Sequence, residues 1–217
     1  MPARRLTPLV AALLVLIAAA GVLTIASDRI GEAAVVAGFI PVRLTLDVPV
    51  PGLLPVWLTP FSATLVHGGW GHLLFNCMTL AVVGPSTELA VGKRGLAVLW
   101  IVGAVASAAA QWAVDPMSAV PVVGASGAIS AVLGSYALLF GETRARAIGP
   151  IPQRVVHALW LGAAWLALNL LMGFAGAAAG APIAIAAHVG GFVAGMVLLR
   201  PLLRWRWGRG MRRYQEV

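Results

Sequence analysis

Apolar positions run almost without interruption along this chain, and the breaks between the runs carry Gly, Pro and charge. A run of about 20 apolar residues is long enough, as a helix, to cross a hydrocarbon core about 30 Å thick. The pattern predicts six helices, at about 8–26, 61–83, 94–113, 123–141, 153–172 and 182–200. Prolines supply the punctuation: Pro60 precedes the second helix, Gly84-Pro85 ends it, Pro182 suits the first turn of the sixth, and Pro201 follows its end. Proline lacks an N–H and fits a helix start better than a helix interior. The expected fold class is all-α, a polytopic membrane bundle of six transmembrane helices.

Composition agrees with this. Of the 217 residues 60% are hydrophobic and only 10% charged, with a mean hydropathy of +0.94, outside the range of soluble domains. Spans of this number use up most of the chain, so residues 1–217 read as a single membrane domain. Its single cysteine, Cys77, excludes an intrachain disulfide and a CxxC-type metal site; a small buried residue is the expectation there. Residues 4–26 have features of a signal peptide, but the apolar run is long for a signal core, so a retained helix is expected.

Charge changes the picture by its placement. With six spans, 13 of the 15 Lys and Arg residues fall on one side of the membrane, and only Arg29 and Arg43 on the other. The positive-inside rule makes the basic side cytoplasmic, so both termini are expected there, in a multi-pass protein of the plasma membrane of a prokaryote. The basic tail at 201–217, with Trp205 and Trp207 among its arginines, reads as an anchor on an anionic bilayer surface, and no nucleic-acid partner is expected.

Polar groups inside spans are expensive and mark functional candidates. His67, His72 and Asn76 open the second helix, Ser126 begins the fourth, and His188 lies near the start of the sixth; all sit toward the outer face. Counting from Pro182, His188 would be about 9 Å into its helix. The fourth span, Gly124 to Phe140, would be about 25 Å long, short of the hydrocarbon thickness, which recesses Ser126 to a similar depth. Gly191 and Gly195 form a GxxxG face below His188, and Gly127, Ala131 and Gly134 form a small-residue face beside Ser126. Facing small residues let helix backbones approach closely, which could bring an imidazole to a serine hydroxyl as its base. His72 and Asn76, spaced i,i+4, share a face, and both can donate to a developing oxyanion. Each feature alone is more often packing than chemistry; their coincidence on one membrane face is what carries weight.

Three motifs then match a known family. "HGGWGHLLFN" at 67–76, "GASG" at 124–127 and "AHVGGFVAG" at 187–195 resemble the HxxxxHxxxN, GxSG and AHxGGxxxG patterns of rhomboid intramembrane serine proteases, in the family's order, over residues 55–200. The resemblance implies a catalytic dyad, with Ser126 as nucleophile and His188 as general base. It implies an oxyanion hole of His72, Asn76 and the backbone N–H of Ser126, with His67, Gly124, Gly127, Gly191 and Gly195 in support. It also implies transmembrane protein substrates in the lipid bilayer, cleaved near their outer ends, usually after small residues, without metal or cofactor. Two departures stand out. Trp57 is followed by Leu58 where many members have arginine, and Ser130 stands where some have an aromatic residue against the histidine. The segment 27–60, with five prolines, fits the family's large first loop, with Trp57 and Trp70 as interface anchors. Asp115 reads as a loop residue and His157 as non-catalytic. The competing readings are a catalytically inactive rhomboid-like protein that binds transmembrane helices, and metal chemistry or transport using the histidines, which lacks an HExxH motif and a suitable carboxylate.

Overall fold

The computed structural model describes residues 6–46, 50–140, 146–151, 153–178 and 184–208; Arg4, Arg5, Arg144, Pro182 and the tail from Arg209 onward lie outside them. The described residues are helical, with two isolated β-bridges and no strand. In chain order the helices are α1 (Pro8–Ala26), α2 (Ile30–Ala37), α3 (Pro41–Leu46), α4 (Thr59–Ser62) with a 3-10 turn at Ala63–Leu65, α5 (Trp70–Val114), α6 (Ser126–Phe140), α7 (Gln153–Ala178) and α8 (Ile185–Trp207). Three of them, α1, α5 and α8, are long and apolar enough to cross a membrane.

The second and third expected helices both fall within α5, and their boundary differs from the expected one. The helix runs through Gly84-Pro85 and breaks at Gly92, whose φ of 81° and ψ of 164° are not helical. Pro85 removes one backbone bond, which helices in a packed bundle tolerate because neighbouring groups re-satisfy the freed carbonyl. The backbone at Gly92 is open to glycine and unfavourable for other residues. The break therefore falls there, just ahead of Lys93 and Arg94. Pro201 likewise lies inside α8 and does not end it. The start of the second helix also moves: α4 and the 3-10 turn occupy residues 59–65, and α5 begins only at Trp70, so His67 precedes the helix. At the other end of the chain α8 begins at Ile185, with Pro182 outside the described residues, so His188 lies only about 4.5 Å into it.

The centre of the bundle is α5, α6 and α8, packed with almost no side chain between them. A Cβ on Gly195 would overlap the carbonyl oxygen of Ala131, one on Gly191 that of Gly127, and one on Gly134 that of Phe192. Ser135 crosses the same interface, donating to the Gly195 carbonyl at 2.8 Å. On the other side of α5, α1 packs with Gly21 against Leu73, and Val10, Ile17, Leu80, Leu96 and Leu99 fill the core.

Far from Ser126, the ends of three helices seal one another. Pro8 opens α1 and has no N–H, and the carboxylate of the buried Glu88 on α5 accepts from the Val10 N–H (3.0 Å), the Leu9 N–H (3.3 Å) and the Thr7 hydroxyl (2.5 Å). The first four N–H groups of a helix have no partner of their own, and Glu88 provides one. The last carbonyls before the Gly92 break are met from α8. Arg206 Nη1 donates to the carbonyls of Glu88 (3.1 Å) and Leu89, and Trp207 Nε1 to that of Ala90 (3.0 Å).

Overpacking a close helix contact costs about 1–3 kcal/mol. Gly195→Ala is expected to lower stability by that amount, measured by thermal unfolding in detergent, whereas Gly162→Ala, inside α7 with nothing within 4 Å of its added Cβ, does not lower the transition.

Candidate active site

Ser126 is the first residue of α6, delivered by an irregular segment whose backbone is tied down at each step. Val42 N–H donates to the Ser118 carbonyl (3.0 Å), Phe39 and Val122 exchange a pair of bonds (3.0 and 2.7 Å), and Gly124 N–H donates to Ala63 (2.8 Å). Residues 39–42 and the turn before α5 therefore form the bed on which the Ser126 segment lies. Satisfying these groups is obligatory where water is scarce. Gly124 completes the approach with a φ of 111°.

From α8, one turn above Gly191, His188 reaches across the glycine contact, and its Nε2 lies 2.7 Å from Ser126 Oγ. The serine hydroxyl can donate to that nitrogen when the ring is neutral with its proton on Nδ1. Gly127 and Gly191 make the approach possible: a Cβ on Gly191 would also come within 2.7 Å of Ser107 Oγ, which is nested between the two glycines.

His72 and Asn76 lie on one face of α5. The Gly68 N–H donates to His72 Nδ1 (3.3 Å), which makes Nδ1 the acceptor and puts the proton of the neutral ring on Nε2. That edge of the ring faces the Ser126 segment: a Cβ on Gly124 would stand 2.6 Å from His72 Nε2 and 3.6 Å from Ser126 Oγ. Asn76 is buried, and its amide donates to the His72 carbonyl (3.0 Å), leaving its second N–H for other use. His67, fully buried, sets its ring edge-on to His72 with centroids 5.2 Å apart; it acts as a wall that fixes the His72 ring.

Two cavities meet at the Ser126–His188 pair. The larger, about 670 Å³, is lined by His72, Gly124, Ser126 and His188, by Phe39 and Pro60 from the stretch between α1 and α5, and by Ser107 and Gln111 of α5. The smaller, about 20 Å³, lies between Asn76, Ser126, Ser130, His188 and Trp165, a volume of about one water molecule. Ser130 donates to the Ser126 carbonyl (2.7 Å), and aromatic bulk arrives instead from α7, where Trp165 stacks on Phe192 at 5.7 Å. The loop beside Trp57 and Leu58 does receive an arginine, though from α3: Arg43 donates to the Leu54 carbonyl (2.7 Å).

Sequence reasoning missed Ser107, Gln111 and Trp165. Ser107 and Gln111 carried a usable signal, two polar side chains four apart in an apolar helix; Trp165 carried none. Asp115 caps the end of α5 and is exposed, His157 lines neither cavity, and Cys77 is a half-buried packing residue. Among the described residues no three His, Cys, Asp or Glu side chains converge on a point.

The family model described as Rhomboid domain matches residues 55–205. Among curated proteins, the chain is 31% identical over 166 residues to Rhomboid protease GlpG of Pectobacterium atrosepticum, covering 75% of this chain and 55% of that protein. It is 28% identical over 158 residues to Rhomboid protease AarA of Providencia stuartii, covering 65% and 54%. It is also 28% identical over 138 residues to Rhomboid-related protein 2 of Mus musculus, covering 62% and 44%. The chain thus spans about half the length of these relatives.

Gly124→Ala forces the His72 ring away from Ser126 and strains a positive φ. A cost of about 1–3 kcal/mol at such a position predicts labelling of Ser126 by a fluorophosphonate slowed by about tenfold or more, read by timed mass spectrometry of the adduct, with the helix content by circular dichroism unchanged.

Proposed function

Because the chain belongs to the rhomboid family, we propose that it is an intramembrane serine endopeptidase that cleaves transmembrane protein substrates near the outer face of the membrane. The observation that carries this reading is the 2.7 Å approach of His188 Nε2 to Ser126 Oγ, between two helices that offer no acidic third member.

Ser126 Oγ attacks the scissile carbonyl while His188 Nε2 takes its proton. Negative charge then develops on the carbonyl oxygen, beside the Nε2–H of His72, the free amide N–H of Asn76 and the backbone N–H of Ser126. Donors held in place before the reaction stabilise that charge without reorganising. The His67 wall and the Gly68 bond keep His72 in the tautomer that donates. The tetrahedral species collapses, the C–N bond breaks, and His188 returns the proton to the leaving amine. Water then enters through the larger cavity, whose polar lining of Ser107 and Gln111 makes it wettable, and His188 activates it to hydrolyse the acyl-enzyme. The chemistry needs no metal or cofactor. Gly124, Gly127, Gly191 and Gly195 support it by setting the distances.

In the cell the basic end of the bundle faces the cytoplasm, with both chain termini, and the dyad faces outward in the plasma membrane. The catalytic core extends over about residues 55–200, followed by the basic tail.

Ser126→Ala and His188→Ala are each expected to abolish cleavage of a transmembrane reporter in reconstituted vesicles while leaving the unfolding temperature near that of the parent. Retained turnover in either variant sinks the mechanism. His72→Ala or Asn76→Ala is expected to lower kcat by about 10²–10³ with KM little changed, the signature of a donor used mainly in the transition state. Loss of turnover on adding a chelator, with fluorophosphonate labelling of Ser126 absent, would favour metal chemistry instead.

A further inference from the structure

The break in α5 and the end of α8 gather a set of cations that form no ion pair among the described residues. Lys93 and Arg94 follow Gly92 directly and are exposed; Arg204, Arg206 and the rings of Trp205 and Trp207 are exposed on the last turns of α8. Arg206 joins the two groups. A Cβ on Gly92 would stand 3.4 Å from its side chain, its Nη1 bonds the carbonyls of Glu88 and Leu89, and its guanidinium sits 4.7 Å from the centre of the Trp207 ring. Lys93, Arg94 and Arg204 therefore stand within a residue or two of one contact point. Among the described residues the one ion pair is Arg29–Glu32, at the far end of the bundle. Glu88, whose backbone carbonyl Arg206 holds, has its carboxylate buried and taken up by the start of α1.

We propose that this end of the bundle is a binding surface for the phosphate headgroups of anionic phospholipids, built on Lys93, Arg94 and Arg204 around the Arg206–Trp207 cap. The partner follows from chemistry and place. A cluster of exposed cations attracts an anion; cations at the end of apolar spans meet the lipid headgroup layer. Exposed Trp205 and Trp207 add rings of the kind that settle at that layer, with an apolar body and a polar N–H. Arg206 uses one terminal nitrogen on the carbonyls, and its remaining donors are available to a phosphate. A lipid bound here bridges the two halves of the seam and strengthens the cap on the broken helix, since a ligand that binds only the folded arrangement stabilises it.

This inference rests on the membrane fold and not on the proteolytic reading, and its test needs no activity. The full chain is placed in nanodiscs of phosphatidylcholine, phosphatidylglycerol is titrated in, and retained lipid is counted by native mass spectrometry beside the thermal unfolding curve. For the parent, phosphatidylglycerol is retained and raises the unfolding temperature, less so at high salt. Each neutralised cation weakens binding by about fivefold, so Lys93→Gln/Arg94→Gln/Arg204→Gln binds on the order of a hundredfold more weakly, and its unfolding temperature ceases to respond. Arg29→Gln, at the opposite end, behaves as the parent. If the triple variant does not fold, Lys93→Gln and Arg94→Gln alone carry the test, each with the fivefold loss. Parent-like binding by the neutralised variants overturns the proposal. So does an equal loss in Arg29→Gln, or a shift of the same size produced by inorganic phosphate without the lipid.

Discussion

Between α6 and α8 the polypeptide backbones touch. The carbonyl oxygens of Gly127 and Ala131 occupy the space where side chains of Gly191 and Gly195 would be, and the Phe192 carbonyl does the same opposite Gly134. In a bilayer there is no gain from hiding apolar surface from water, so such a contact is held by dispersion and by complementary shape. It also removes slack. Two helices separated by leucines can slide by the width of a rotamer change, whereas two helices in backbone contact have no soft layer to deform. Ser126 and His188 stand just above this contact, and their 2.7 Å separation is a property of the two backbones more than of the two side chains.

The rest of the site is arranged around that fixed pair by backbone bonding. An irregular stretch before Ser126 would be costly near the bilayer interior, but its groups are matched to Phe39, Val42 and Ala63. The same bonds make the stretch between α1 and α5 part of the site. A displacement of residues 36–65 is transmitted to Gly124, and Gly124 is what the His72 ring rests against. His72 is thus held from three directions: by Gly68 on its Nδ1, by the His67 ring at its side, and by Gly124 at its donor edge. Such surroundings suit a group that must present one proton in one direction.

What the sequence made legible was what has a period or a fixed offset. Apolar run length located the helices, the GxxxG spacing marked the face of α8 that meets α6, and the i,i+4 spacing put His72 and Asn76 on one side of α5. Helix ends are less legible, because the rule that proline ends a helix suits chains in water; Pro85 and Pro201 both lie within helices. Glu88 is hidden by that displaced boundary: between two expected helices it has no reason to attract notice, yet it sits buried on α5 and caps another helix. Ser107 was obscured for a different reason, since its place between Gly127 and Gly191 depends on which helices cross, and no local spacing encodes a crossing. Trp165 is the same kind of case, one tryptophan among eight, distinguished only by where α7 lies.

The cap on α1 joins residues 78 to 81 positions apart, and the cap on the Gly92 break joins residues 117 or 118 apart. A chain made from its N-terminus inserts α1 long before Glu88 is synthesised, and the first half of α5 long before Arg206 appears. Each waits with open polar ends, and the last turn of the last helix closes the second. Ribosomal order thus runs against the order of closure. A chain stopped before residue 206 lacks both donors to these three carbonyls, so the break in α5 gets its cap only when the last helix is complete.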